Sequence, residues 1–249
     1  MSKYQEFKRE GAAEIAAMGE DRDLANATQR WIESANRAKY SYHFEWMGRP
    51  IIQYPQDIVA MQELIWSLKP DLIIETGIAH GGSLIFSASM LELNAISGGP
   101  KNARVLGIDI DIREHNREAI EAHPMAGRIS MIQGSSVAAD VVAKVFSEAR
   151  GKERILVILD SNHTHDHVLA ELEAYAGLVS IGSYCVVFDT IIEDLPEDSF
   201  LDRPWKRGDN AKTAVRKFLS SHSEFEIDKN FQNKLLITVA PDGYLRRVR

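Results

Sequence analysis

Residues able to do chemistry gather first at Glu75-Thr76-Gly77-Ile78-Ala79-His80-Gly81-Gly82-Ser83, between an apolar run at 72–75 and a helical run at 84–93. Glycines let the backbone turn sharply and approach a ligand, and the start of the following helix offers free N–H groups. The spacing differs from the Gly-x-Gly-x-x-Gly that cradles a pyrophosphate. An acid at a strand end beside a looser glycine loop suits a cationic, phosphate-free nucleoside such as S-adenosylmethionine. Glu75, Gly77, Gly81 and Ser83 are the candidate contacts, and His80 either touches the ligand or fills the turn. A tight strand-to-helix turn that needs glycine only for packing is the blander alternative.

Asp109 closes the next apolar run, Val105-Leu106-Gly107-Ile108-Asp109, where a carboxylate can accept hydrogen bonds from both ribose hydroxyls. Asp111 lies on the same side by strand alternation, but Asp109 is nearer the strand end and Asp111 reads better as a helix cap. Gln133-Gly134-Ser135-Ser136 follows a third run, so Ser135 and Ser136 either hold the adenine edge or cap the next helix.

A second constellation is Asp160-Ser161-Asn162-His163-Thr164-His165-Asp166-His167, with Asp189-Thr190 after a neighbouring run. Two carboxylates at adjacent strand ends supply hard oxygen ligands of the kind Mg²⁺ takes, and a bound ion would acidify an acceptor hydroxyl. Both acids capping helices is the alternative. His163 lies close enough to Asp160 to serve as general base. In this His-x-His-x-His run His165 and His167 stand two apart, not at the i, i+4 spacing usual for a helical zinc site, and they read as ordinary residues of a loop and helix start.

These residues need a scaffold that brings strand ends together. Short apolar runs alternate with amphipathic segments from residue 72 onward, the pattern of βαβ units around a parallel sheet. The runs are 72–75, 105–109, 129–133, 155–160, 184–189 and 235–240, with a weaker one at 225–228. The fold class is therefore a doubly wound, mostly parallel, seven-stranded α/β sheet, with ligands outside the carboxyl ends of the strands. Residues 1–54 read as an N-terminal extension, helical over 4–38 and an irregular aromatic cover from Tyr40 to Trp46. Residues 55–249 form the ligand-binding domain, beginning with a helix over 55–68. The polar stretch 193–210 is too long for a simple connector and is a candidate substrate loop.

Composition narrows the partners. The 249 residues are 45% hydrophobic and 26% charged, with a net charge of −7 and no basic run that would track nucleic acid. The lone Cys185, set in an apolar run, points to a reducing compartment, and no apolar stretch approaches the ~18 residues of a membrane span. A small-molecule acceptor and a cytoplasmic location are the expectation.

Taken together, several segments resemble the cephalosporin hydroxylase and rhamnosyl O-methyltransferase family. They are 46–57, Glu75-Thr76-Gly77 with Gly81-Gly82-Ser83, Asp160-Ser161-Asn162-His163-Thr164, Asp189-Thr190 and 234–245. The resemblance covers roughly residue 40 to the end. It implies a class I methyltransferase fold with a Rossmann-like sheet, S-adenosylmethionine as cofactor, a Mg²⁺ site of the catechol O-methyltransferase type and a homo-oligomer. It also implies that His163 replaces the Lys of an Asp-x-x-Lys segment. A second acid is implied just before Asp189, where this chain has Phe188, leaving Thr190, Glu193 or water to fill the metal's third place. The family name raises two other readings. One is an Fe(II) oxygenase using His43-x-Glu45 and His222-x-Glu224, a string without a shared structural context. The other is a non-catalytic nucleoside-binding partner.

Overall fold

The computed structural model describes residues 2–249. Two helices open the chain, α1 (Lys3–Glu20) and α2 (Arg22–Arg37), capped by Ser2 and Asp21. The aromatic segment is more regular than expected. A 3₁₀ turn at Tyr40–His43 leads into a hairpin of β1 (Phe44–Trp46) and β2 (Arg49–Ile51). Met47 and Gly48 both have positive φ, which suits the twist of a two-residue hairpin turn. Trp31, Tyr40, Phe44 and Tyr54 pack with ring centroids 5.0–5.9 Å apart, so the cover has its own aromatic core.

After α3 (Pro55–Leu68) come β3 (Leu72–Thr76), α4 (Gly82–Ile96), β4 (Arg104–Asp109), α5 (Glu114–Glu121), β5 (Ile129–Gln133) and α6 (Ala139–Glu148). Then follow β6 (Ile155–Leu159), α7 (His165–Tyr175), β7 (Tyr184–Val187), α8 (Ala211–Leu219), β8 (Phe225–Ile227), α9 (Lys229–Leu235) and β9 (Tyr244–Arg247). The sheet runs β5-β4-β3-β6-β7-β9-β8, with β9 antiparallel to both neighbours and the pairs from β5 to β7 parallel. Chain order reverses between β3 and β6, which opens a crevice at their carboxyl ends.

The central strands are apolar up to their carboxyl ends because both faces are covered, and polar residues such as Glu75 and Thr76 come only at those ends. On β6, Leu156 and Ile158 join the core beneath α3 and α4, while Ile155, Val157 and Leu159 join the core beneath α6, α7 and α8.

One expected strand is displaced. The apolar run 235–240 begins as the end of α9 and continues as a loop, and the last strand is Tyr244–Arg247. The loop is held by a buried side chain in place of a ladder: Asp57 accepts from the Thr238 hydroxyl at 2.5 Å and from the Val239 amide at 2.9 Å. Gly243 then lies so close to the Val187 carbonyl that a Cβ would overlap it, which lets the chain enter the sheet there. Among the described residues no helix is long and apolar enough to cross a membrane.

Candidate active site

The glycine loop joins β3 to α4, and its shape follows from what surrounds it. Gly77 has φ of +90°, and a Cβ there would overlap the Asp160 carbonyl at the end of β6. Gly81, with φ of +82°, precedes the first residue of α4. Packing therefore demands these glycines, and the same bareness leaves the loop open to a ligand. Asp109 at the end of β4 ties the loop down: its carboxylate accepts from the amides of Ile78 at 2.8 Å and Ala79 at 3.2 Å, and from Asp111 at 3.0 Å. Asp111 itself is exposed and lies near Arg113. The His80 carbonyl accepts from Arg49 on β2 at 2.6 and 2.9 Å, so the hairpin fixes the loop's backbone.

Glu75 is 1% exposed. One of its oxygens accepts from Ser83, and the other has no partner. Burial pushes its carboxyl up to about 7 against the pull of the Ser83 hydrogen bond. A cation placed beside it would relieve that penalty.

Beyond the loop lies a cavity of about 230 Å³, lined by Gly77, Asp109, Ser135, Ser136, Asp160 and His167 among others. Ser136 is buried and its hydroxyl donates to Glu171 at 2.5 Å. Across Asp160 a second cavity of about 470 Å³ opens. Its walls come from the N-terminal cover (Lys39, Tyr42, Tyr54) and the long loop (Phe200, Arg203, Trp205).

Asp160, His163 and Asp189 converge between these spaces, their ligand atoms within 4.8 Å of one another. His163 Nε2 is 3.0 Å from Asp189 Oδ2, and the ring meets Trp205 edge-on with centroids 4.8 Å apart. Burial, then the Asp189 carboxylate, hold Asp160 well above the usual carboxylate range, against a hydrogen bond from Gln53. Burial draws the His163 imidazole down, but Asp189 and Asp160 outweigh it and push it up to about 8. Two crowded carboxylates and one imidazole form a donor set that a hard divalent cation fits, since its charge removes the repulsion that raises Asp160.

The structure turns Thr190 and Glu193 elsewhere. The Thr190 hydroxyl, fully buried, donates to the Pro241 carbonyl at 2.7 Å. Glu193 accepts from Gly208 at 2.8 Å and Asn210 at 2.6 Å. Phe188 is in the core. His163, read from the sequence as a base, is the group that joins the two acids. The oxygenase strings are not brought together: His43 is 3.3 Å from the Ala38 carbonyl, and His222 stacks on Phe218.

Sequence reasoning missed Gln53, Arg49 and the pair His167–Glu171. Gln53 and Arg49 carry no chemical signature and matter through remote contacts, Gln53 with Asp160 at the end of β6 and Arg49 with the glycine loop and Asn116. The His-x-x-x-Glu spacing was legible but is common on exposed helices.

The rhamnosyl O-methyltransferase/CmcI family profile matches residues 38–248. The chain belongs to that family. Rhamnosyl O-methyltransferases of Mycobacterium bovis and Mycobacterium leprae are each 30% identical to it, the first over 210 residues and the second over 207. Both alignments cover 81% of this chain, and 77% and 82% of those proteins. Among solved structures, CmcI with magnesium and S-adenosylmethionine is similar in fold, with TM-score 0.56 and 21% identity over 84% of this chain and 78% of that one. The O-methyltransferase TomG of Streptomyces achromogenes, in complex with S-adenosylmethionine, has TM-score 0.52 and 16% identity over 83% and 80%. By family and fold the chain is an O-methyltransferase built on the class I sheet.

Proposed function

We propose that this chain transfers the methyl group of S-adenosylmethionine to a hydroxyl of a small sugar-bearing acceptor, with a divalent cation, Mg²⁺, at Asp160 and Asp189. The observation that carries the reading is that Asp160 borders both the 230 Å³ and the 470 Å³ cavities. Cofactor and acceptor seated in these spaces would meet beside it. Glu75, Gly77, His80, Gly81 and Ser83 would take the amino-acid end of the cofactor, Asp109 the ribose, and Ser135 and Ser136 the base. The name of the mycobacterial relatives supports a sugar acceptor, and the CmcI structure with magnesium supports the ion.

Asp160 and Asp189 would hold the cation, which would supply positive charge that acidifies an acceptor hydroxyl. With Asp189 and Asp160, the groups that hold the His163 imidazole up at about 8, neutralised by the cation, Nε2 would be free to take the acceptor's proton as the acceptor oxygen attacks the methyl carbon. The carbon–sulfur bond breaks as the new carbon–oxygen bond forms, and the sulfonium leaves as a neutral thioether. Trp205 and residues between Asn36 and Tyr54 wall the acceptor space, where they exclude water and orient the sugar ring.

The test is transfer of labelled methyl from S-adenosylmethionine to a panel of rhamnosides and related glycosides, with Mg²⁺ and with excess chelator. Product that depends on Mg²⁺ is the expected result. Product undiminished by chelator would remove the cation. No binding of S-adenosylmethionine at all would remove the whole reading.

A further inference from the structure

Behind the smaller cavity lies a buried carboxylate that methyl transfer does not use. Glu171, on α7, is fully buried. Its Oε1 accepts from Ser136 Oγ at 2.5 Å and from Ser161 Oγ at 2.7 Å, and its Oε2 has no partner. One helical turn earlier, His167 points Nε2 at the same group: 3.1 Å from Ser136 Oγ, 3.3 Å from Ser161 Oγ and 3.4 Å from Glu171 Oε1. Ser136, Ser161 and His167 all line the 230 Å³ cavity.

The proton positions follow from the partners. Each serine gives its proton to the carboxylate, so each hydroxyl oxygen faces the ring as an acceptor, and the carboxylate can only accept. Three acceptors around Nε2 fix an N–H on that nitrogen, so Nδ1 is the ring atom left to meet a ligand. Among the described residues Nδ1 makes no hydrogen bond within the chain. A ring fixed in one tautomer at a cavity wall is a device for reading hydrogen-bond polarity.

We propose that His167 reads the exocyclic amine of the cofactor's adenine through Nδ1, and that Glu171 is the positioning residue that fixes its tautomer. The inference rests on the reading of this cavity as the nucleoside site. An acceptor at Nδ1 pairs with the amino group at position 6 of adenine. It opposes the carbonyl oxygen that hypoxanthine carries there, so an acceptor would meet an acceptor. Ser136 and Ser161, whose protons are committed to Glu171, add acceptors to the same wall.

Calorimetry with S-adenosylhomocysteine and S-inosylhomocysteine tests this on the wild-type chain, His167→Ala and Glu171→Gln. The wild type is expected to bind the adenosyl compound at least about tenfold more tightly, and His167→Ala to narrow that preference to within about threefold. Glu171→Gln, whose amide can donate where the carboxylate only accepts, frees the ring from a single tautomer and narrows the preference as well. The ratio between two ligands is a readout that general loosening of the pocket leaves in place. Should Glu171→Gln fail to give a cooperative melt, the His167→Ala comparison carries the test alone. A wild type indifferent to the base, or an unchanged ratio in folded His167→Ala, overturns the proposal. Wild-type protein that binds neither compound overturns the nucleoside reading beneath it, and the two failures are thereby told apart.

Discussion

The two sides of the crevice between β3 and β6 are built on different electrostatic terms. On the glycine-loop side, Asp109 is satisfied by three backbone amides from the loop and its own strand end. On the other side, Asp160 and Asp189 crowd one another with only His163 and Gln53 to offset them. Asp189 moreover sits at φ of +56°, a backbone conformation that non-glycine residues seldom adopt. Backbone amides on the first side already satisfy the carboxylate, which leaves Asp109 a settled acceptor for neutral ligand groups such as hydroxyls. The second side crowds two carboxylates that hold each other's protons and that of His163 tightly, an arrangement a fold retains where a cation or proton is to be handled. Glu75 is the one exception on the first side, a buried acid awaiting a positive partner.

The largest expected effect tests the second side directly. An Asp160→Ala, Asp189→Ala double variant should lose Mg²⁺ binding and lower turnover by more than about 10². Its affinity for S-adenosylhomocysteine should remain within about threefold of wild type. Loss of cofactor and cation together, measured by calorimetry, would erase the distinction between the two sides.

Next in size is His163→Ala, for which turnover should fall roughly 10²–10⁴-fold, the usual contribution of a general base. Mg²⁺ affinity measured alongside separates two roles. If affinity falls in step with turnover, His163 is a ligand; if only turnover falls, it handles the proton.

Glu75 sharpens the first side through pH. Its folded-state value of about 7 lies above the ordinary 4.5, so between those values the native state binds the proton more tightly than the unfolded chain does. Stability from this group is fully present below about 4.5 and is lost as pH rises through about 7, on the order of 3 kcal/mol in all. Binding of the cofactor's ammonium favours the ionised carboxylate, so affinity for S-adenosylhomocysteine should rise between pH 6 and 8. A flat affinity profile, or one unchanged in Glu75→Gln, would detach Glu75 from the ligand.

The smallest effect is expected of Thr190→Val. Losing its buried hydrogen bond to Pro241 should lower stability by about 1 kcal/mol. Mg²⁺ affinity should not change. A clear loss of Mg²⁺ binding in a variant of near-normal melting temperature would return Thr190 to the metal site.

Much of the scaffold was determined by sequence alone. Continuous apolar runs marked six of the seven sheet strands because central strands covered on both faces need no polar residues. Acids and glycines at the ends of those runs marked where the chemistry gathers, since a parallel sheet delivers its strand ends to one edge. The seventh strand was misplaced at 235–240 because that run has the right composition, while its backbone is held by Asp57, a side chain remote in sequence. Tertiary structure alone decided the rest: that His163 rather than Thr190 stands with the two acids, that Gln53 reaches Asp160, that Trp205 meets His163, and that His167 and Glu171 turn inward on two serines. Those meetings depend on how separate segments pack and which way each rotamer points. Local composition is silent there, because the same residue is equally content on a solvated face.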